Sequence, residues 1–213
     1  MYTAHPSAAL NLLFKQKPYQ GANPREADFL FVGLAANYTE QVEHSAIFPR
    51  LCEYLEDGVG FWRRHKVHHP YLLPEYAGDE PLYHRSFART GFKPEQAHRV
   101  SFVHLLHVPT VGKSKLVPKD LSHSHLSMLG DVLLNGAAKH IFIPSEVERL
   151  MHASKAFDWL ASGPGEYLGP LGMLYRREDK AVYSHLHFSV FGKFDERKAK
   201  EAAAIHELAA RYG

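Results

Sequence analysis

The sequence has little of several features that would place it in a specialised class of protein. It contains one cysteine, Cys52, among 213 residues. A single cysteine forms no intramolecular disulfide and supplies no four-cysteine zinc or iron–sulfur site. Because Leu51 and Tyr54 beside it indicate a packed helix, we expect the Cys52 thiol to be a core group rather than a nucleophile.

Long apolar runs and a strong net charge are missing as well. No apolar run approaches the roughly 20 residues that a membrane helix needs, and the net charge of +2 does not demand a nucleic-acid partner. The first residues, Met1 to Pro6, lack a basic region followed by an apolar one, so they predict no export signal. We expect a cytoplasmic protein without a membrane partner, and we expect it to be a monomer.

Histidine, by contrast, is abundant. The chain has 16 histidines, and several of them fall between Gly58 and Pro81, in a stretch that is also rich in aromatic residues. Since mild acid charges histidine side chains, these residues predict an affinity for phosphate that rises as the pH falls. A loop of this length inside a domain is typically functional or mobile.

Hydrophobic patterning predicts a single α/β domain over residues 1–213. Apolar runs predict four strands, at Asp28 to Gly33, Val100 to Leu106, His140 to Pro144 and Ala181 to Ser184. Helical spacing predicts helices at Leu121 to Asn135, from Ser145 to about Leu160, and from Asp195 onward. This alternation is typical of a three-layer α/β/α sandwich with a central four-stranded parallel sheet.

Three local signals refine this prediction. Ser7 is placed to cap a short amino-terminal helix. Ser145 and Glu148 form a capping box, with serine at the N-cap and glutamate at the third helical position. The prolines and the glycine between Lys15 and Arg25 predict a loop.

Two of the predicted strands end in loops that carry residues suited to ligand binding. The first strand ends at Gly33, where the lack of a side chain lets the backbone approach a ligand closely. The fourth strand is followed at once by His185 and His187. Because ligands bind at the carboxyl edge of open α/β sheets, we expect the two loops to share one site.

The same two loops resemble motifs of the uracil-DNA glycosylase superfamily. Its first motif is a glycine, an apolar residue and short residues after the first strand, which is similar to Gly33-Leu34-Ala35-Ala36-Asn37. Its second motif is a histidine and a serine before a wedge loop and a last helix, which is similar to His185-Leu186-His187-Phe188-Ser189. Gly60-Phe61-Trp62 and Gly91-Phe92 resemble the mismatch-specific branch, and the overlap spans about residues 27 to 212.

The resemblance implies a DNA repair enzyme, a monofunctional DNA glycosylase. Such an enzyme flips a damaged base, uracil or a related one, out of the duplex and hydrolyses its N-glycosidic bond. Its partner is DNA with a damaged or mismatched base, and it needs neither a metal nor another cofactor. Two catalytic residues are implied: His185, which stabilises the departing base, and Asn37, which lies nearest to the attacking water.

The resemblance also implies residues that bind the base and the DNA. The base-binding set is Gly33, Leu34, Ala35, Ala36, Phe48, Ser101 and His187. In this set Ser101 reads the base edge, and Phe48 either stacks on the base or packs under the following helix. The DNA-binding set is Ser189, Val190, Phe191 and Lys193, of which Val190 and Phe191 form the wedge and Lys193 contacts phosphate. Candidates for a phosphate track are Arg63, Arg64 and Lys113 with Ser114.

Two other functions stay open. Ala35 and Ala36 stand where many branches of the superfamily hold the attacking water, so Asn37, Glu40 or Glu43 would have to orient it. Without such a group the chain is a DNA-binding relative that does not cleave.

The second open function is that of a metal-dependent hydrolase with histidine ligands. The candidate ligands are His123 with His125, His185 with His187, and the cluster of His65, His68 and His69. Neither pair has an obvious carboxylate partner in the sequence, and the chain contains no His-Glu-x-x-His element.

Overall fold

The computed structural model describes residues 2–78, 82–112 and 115–211. The α-helices in these ranges are α1 (Ala8–Gln16), α2 (Phe48–Glu56), α3 (Gly58–His65), α4 (Leu82–Ala88), α5 (His123–Asn135), α6 (Ser145–Ser154) and α7 (Asp195–Arg211). The β-strands are β1 (Thr3–Ala4), β2 (Tyr19–Gly21), β3 (Phe29–Gly33), β4 (Asn37–Tyr38), β5 (Val100–His104), β6 (Thr110–Val111), β7 (His140–Pro144), β8 (Glu166–Leu168), β9 (Leu171–Arg177) and β10 (Lys180–His185). None of the helices in these ranges is long and apolar enough to span a membrane.

Seven of these strands form one mixed sheet, in the order β2-β5-β3-β7-β10-β9-β8. The four central strands, β5, β3, β7 and β10, pair in parallel. The outer strands β2, β9 and β8 pair antiparallel with their neighbours. The predicted α/β class is therefore confirmed, whereas the prediction of a four-stranded sheet is wrong because three further strands extend it.

The strands missing from the prediction are short or lie next to turns. β2 falls inside the segment from Lys15 to Arg25, which the sequence predicts to be a loop. At its end, Gly21 has a φ of +78°, and a Cβ there would lie 2.7 Å from the carbonyl oxygen of Val100. Gly21 thus allows β2 to pair closely with β5. A glycine in a strand and a glycine in a loop look the same in the sequence, so the pattern does not reveal β2.

Apolar side chains cover both faces of the sheet. Because side chains alternate along a strand, Leu30 and Ile141 face one side, whereas Phe31 and Phe142 face the other. The first side packs against α5 and α6, and the second packs against α4 and α7. The rings of Phe31 and Phe142 stack with their centroids 4.9 Å apart. Burial of each such side chain contributes about 1.5–3 kcal/mol to folding.

A smaller unit lies beyond the carboxyl ends of β3 and β5. The two-residue strands β1, β6 and β4 form a second sheet, in which β4 and β6 pair in parallel. Helices α1 and α2 bury a separate apolar cluster beside it. Ser7 caps α1 as predicted, because its Oγ accepts a hydrogen bond from the backbone nitrogen of Leu10 at 3.2 Å.

Candidate active site

A cavity of about 530 Å³ opens at the carboxyl ends of the central strands. Its wall takes residues from the loop after β3, the end of β5, the first turn of α6 and the loop after β10. Because β5, β3, β7 and β10 are parallel neighbours, these segments meet at one edge of the sheet. Open α/β sheets bind ligands at this edge, and the volume is in the range of small-molecule sites.

The loop after β3 lines the cavity along its whole length, with Gly33, Leu34, Ala35, Ala36 and Asn37. Backbone hydrogen bonds hold this loop: the nitrogens of Leu105 and Leu106 donate to the carbonyl oxygens of Gly33 and Leu34 at 3.0 and 2.9 Å. The first predicted motif therefore lies on the cavity, and its backbone is fixed against the chain that follows β5.

Asn37 lies at the start of β4 with its amide nitrogen engaged. Nδ2 donates to Thr110 Oγ1 at 3.2 Å and to the carbonyl oxygen of Gly112 at 2.5 Å. These bonds fix the side chain and leave its amide oxygen as the atom that can accept a hydrogen bond from water. Glu40 and Glu43, the other predicted candidates for orienting water, are exposed and do not line the cavity.

His104 ends β5 and contributes a side chain that the sequence analysis did not select. A Cβ on Gly33 would lie 2.8 Å from Cδ2 of His104, so any other residue there would force the imidazole to move. Burial, with a smaller effect of nearby His125, lowers the pKa of His104 to about 4. The ring is therefore neutral at pH 7. Its position at a strand end is the signal that could have identified it.

Ser101 and Phe48, both predicted to contact the base, do not line the cavity. Ser101 is fully buried where β2 pairs with β5, and its Oγ donates to the carbonyl oxygen of Gln20 at 3.4 Å. Phe48 begins α2 and packs into the apolar cluster of α1 and α2. The aromatic wall of the cavity consists of other residues: Tyr38, Tyr54, Tyr71, Tyr83 and Phe102.

His185 does not lie where the sequence predicts. Its side chain is 2% exposed and does not line the cavity. As the last residue of β10 it faces the same side of the sheet as Tyr183, and the ring of Phe188 covers it at a centroid distance of 5.0 Å. Burial lowers the pKa of His185 to about 3. The alternation of side chains along the strand therefore directs this ring into the helical layer.

His187, two residues later, lines the cavity instead. Its Nδ1 accepts a hydrogen bond from the backbone nitrogen of Ser189 at 3.2 Å. Burial lowers the pKa of His187, although the carboxylate of Glu146 opposes the shift. A neutral imidazole that accepts at Nδ1 carries its proton on Nε2. His187 therefore has Nε2–H as a hydrogen-bond donor for a ligand.

Glu146 also lines the cavity and was not among the predicted site residues. The predicted capping box is wrong: Pro144 occupies the N-cap, no side chain caps the helix, and Ser145 is the first residue of α6. Glu146 thus lies in the first turn of α6, where the helix dipole stabilises a carboxylate. Its electrostatic effect on His187 follows from the adjacency of the ends of β7 and β10.

A group of buried histidines forms another part of the wall. The rings of His69 and His84, both of which line the cavity, stack with centroids 3.6 Å apart and 10° between their planes. Nδ1 of His84 lies 3.3 Å from Nε2 of His68. Burial lowers the pKa of all three rings, that of His84 to about 3. These histidines stay neutral in mild acid, so the predicted gain in phosphate affinity does not come from them.

The loop after β10, residues 186–194, is called the rim loop. Ser189 lines the cavity, and Phe191, two residues further on, is 73% exposed. Val190 is half-buried, whereas Lys193 is exposed with its Nζ 5.2 Å from the ring centroid of Phe194. The predicted DNA contacts therefore lie on one loop that runs from the cavity to the surface.

Two buried charged residues of α7 fix the rim loop. Glu201 Oε2 accepts a hydrogen bond from the backbone nitrogen of Leu186 at 2.8 Å, and Lys198 Nζ donates to the carbonyl oxygen of Val190 at 2.5 Å. Both side chains are nearly inaccessible to solvent. Arg197 donates from Nε to Glu201 Oε1 at 2.9 Å. Two backbone positions of the rim loop, Leu186 and Val190, are thus anchored to the helix that follows it.

The predicted metal ligands do not converge. Within residues 2–78, 82–112 and 115–211, no three histidine, cysteine, aspartate or glutamate side chains are grouped as metal ligands. His123 is exposed at the start of α5, whereas His125 is buried with Nε2 2.8 Å from the carbonyl oxygen of His104. The geometry of the described chain therefore gives the metal-dependent hydrolase no specific support.

The predicted phosphate track does not lie along the cavity. Arg63 contacts the ring of His98, just before the amino end of β5, and Arg64 pairs with Glu53. Lys113 and Ser114 lie outside the described residues.

Comparisons with known proteins leave the chain without an assigned family. No protein-family model matches it, and no curated protein matches it.

Proposed function

We propose that the protein is a DNA glycosylase that receives an extruded damaged base, uracil or a related base, in the cavity and hydrolyses its N-glycosidic bond. One observation carries this proposal: an aromatic-lined cavity lies beside a fixed loop whose Phe191 ring is 73% exposed. Base flipping needs both parts, a pocket for the base and an apolar side chain that fills the vacated stack.

The architecture supports the same function. Four parallel central strands with helices on both faces agree with the three-layer fold that resemblance to the uracil-DNA glycosylase superfamily implies. Both loops of the resemblance lie at the carboxyl edge, where they line the cavity with Gly33 and His187.

Glu146 takes the role of orienting and activating water in this proposal. Its carboxylate accepts a proton as water attacks the anomeric carbon, and its negative charge stabilises the positive charge that develops on the sugar. The amide oxygen of Asn37 is a second acceptor that can hold the water in place. Glu146 on α6 thus supplies the water-holding group that Ala35 and Ala36 of the first motif do not supply.

His187 and His104 contact the base in this proposal. His187 donates from Nε2 to the departing base, the role predicted for His185. His104 presents a neutral ring at the end of β5, where it can hydrogen-bond to the base edge. Phe191 enters the base stack and Lys193 contacts phosphate.

Single-turnover release of bases from duplex oligonucleotides tests the proposal. The duplexes carry uracil, hypoxanthine, ethenocytosine or a mismatch, and each is incubated with and without a chelator. We expect release of at least one base in both conditions. The His187→Ala variant should release it about tenfold more slowly, because a donor to the leaving group is lost.

His98→Ala is the matched control, because His98 is exposed at the opposite edge of the sheet and should leave the rate unchanged. Selective binding of a damaged duplex without release would identify a DNA-binding relative that does not cleave. Release that disappears in chelator would favour the metal-dependent hydrolase.

A further inference from the structure

The cavity is lined almost entirely by uncharged groups. Among the lining residues that the structure describes, Glu146 is the one charged side chain, and none is lysine or arginine. An anionic ligand would meet a carboxylate and no compensating cation in this set. The charge distribution therefore favours a ligand that is neutral or positively charged.

The titratable groups of the wall do not add positive charge. Burial lowers the pKa of His69, His84 and His104, so their rings are neutral at physiological pH. Burial raises the pKa of Tyr54 and Tyr83, so these phenols stay protonated. Glu146 thus sets the sign of the charge on the described wall.

We infer that the substrate of this site is DNA that contains a cationic base, namely a purine alkylated on N3 or N7. This inference rests on the proposed glycosylase function and assigns it a cationic base in place of the uracil that the resemblance implies. Four tyrosines line the cavity, so a cationic ring inside it can gain cation–π attraction, and Glu146 supplies the negative charge on the same wall.

The chemistry of the leaving group agrees with this substrate class. When water attacks the anomeric carbon, a C–O bond forms and the C–N bond breaks, and its electron pair passes to the purine. That pair neutralises the positive charge of the ring, so the base leaves as a neutral molecule. The proton of the water goes to Glu146 and then to solvent. A neutral base would leave as an anion, for which the described wall has no cation.

Binding of two isosteric duplexes isolates the contribution of charge. One duplex carries N7-methylguanine and the other carries 7-deaza-7-methylguanine, which has the same shape without the positive charge. Both carry a 2′-fluoro sugar that resists hydrolysis. We expect the wild-type protein to bind the cationic duplex about tenfold more tightly. In Glu146→Gln the preference should fall to the smaller part that the wall tyrosines supply.

Glu148→Gln is the matched control, because Glu148 lies in the same turn of α6 but does not line the cavity. It should keep the tenfold preference. Release assays on N7-methylguanine and uracil duplexes test the cationic substrate separately from the glycosylase function. Release of uracil together with equal binding of the isosteric duplexes would overturn the cationic substrate and leave the glycosylase intact. Release of neither base, with no preference for damaged duplex, would overturn both.

Discussion

The amino and carboxyl ends of the central strands form two edges of the sheet, and similar residues have different roles at each. At the amino edge, Arg99 donates from Nε to Asp28 Oδ2 at 2.7 Å, and the carbonyl oxygen of Asp28 accepts from the backbone nitrogens of Lys139 and His140. The ring of His140 packs between aromatic rings there. These contacts close the edge, so polar groups at this end hold the fold together.

At the carboxyl edge, polar groups line an open cavity. His104 ends β5, His187 follows β10, and Glu146 begins α6 beside them. The pKa of His104 and that of His140 are both lowered to about 4, mainly by burial. A lowered pKa is therefore common to the two histidines, and they differ in that His104 lines the cavity and His140 does not. A place on the cavity wall, together with a shifted pKa, marks a candidate functional residue.

The largest expected effect belongs to the amino edge. Arg99→Ala leaves Asp28 without its partner in a largely buried setting, which should lower the free energy of unfolding by about 3 kcal/mol. Urea denaturation measures this change. Arg25→Ala is the control, because its pair with Asp131 is half-exposed and should contribute less than about 1 kcal/mol. A comparable loss in both variants would contradict the structural role of this edge.

A second expectation concerns the pH dependence of stability. Unfolded histidines take up protons below pH 6.5, whereas folded His104 and His140 stay neutral down to about pH 4. The free energy of unfolding should therefore fall with the pH in this window, by up to about 1.4 kcal/mol per pH unit for each such ring.

Substituting one histidine at each edge compares the two edges by the pH dependence of stability and by activity. His104→Asn and His140→Asn should each reduce the slope of stability against pH by a similar amount, as measured by denaturation at pH 6 and pH 5. Only His104→Asn should slow the release of a base. Equal effects of both variants on release would remove the functional distinction between the edges.

A smaller effect is expected at the rim of the carboxyl edge. Phe191→Ala should weaken binding to a damaged duplex about fivefold, because the side chain that fills the base stack is removed. Fluorescence anisotropy measures this affinity. Tyr167→Ala is the matched control, since Tyr167 is similarly exposed, at 68%, but lies on the edge strand β8. Equal weakening in the two variants would assign Phe191 no role in binding.

Much of the fold could be predicted because the central strands are apolar on both faces. Runs such as Phe29–Gly33 and His140–Pro144 carry that signal, and their bounds agree closely with the structure. The edge strands β2 and β8 have three residues each and little apolar content. Their pairing depends on tertiary neighbours, so their own sequence does not reveal it.

The candidate site could be predicted only in part, for a geometrical reason. The loop from Gly33 to Asn37 could be identified because it follows directly on an apolar strand that ends in glycine, and the loop does line the cavity. The same motif contains His185 and His187, and the sequence does not show that β10 ends at His185, so that His187 lies on the loop that lines the cavity. Glu146 lies between Ser145 and Glu148, the two residues of the predicted capping box, and nothing in the sequence distinguishes it as a site residue. Which side chains converge on the cavity depends on the orientation of separate elements, which sequence spacing does not encode.

The central claim is that a damaged base enters the cavity at the carboxyl edge. Methyl NMR of alanine-labelled protein tests it directly, with a duplex whose damaged nucleotide carries a 2′-fluoro sugar and an undamaged duplex as the reference. We predict that the methyl resonances of Ala35 and Ala36 shift with the damaged duplex alone, while those of Ala27 and Ala97, which are buried near the amino edge, do not. Unchanged Ala35 and Ala36 resonances with a bound damaged duplex would contradict the account.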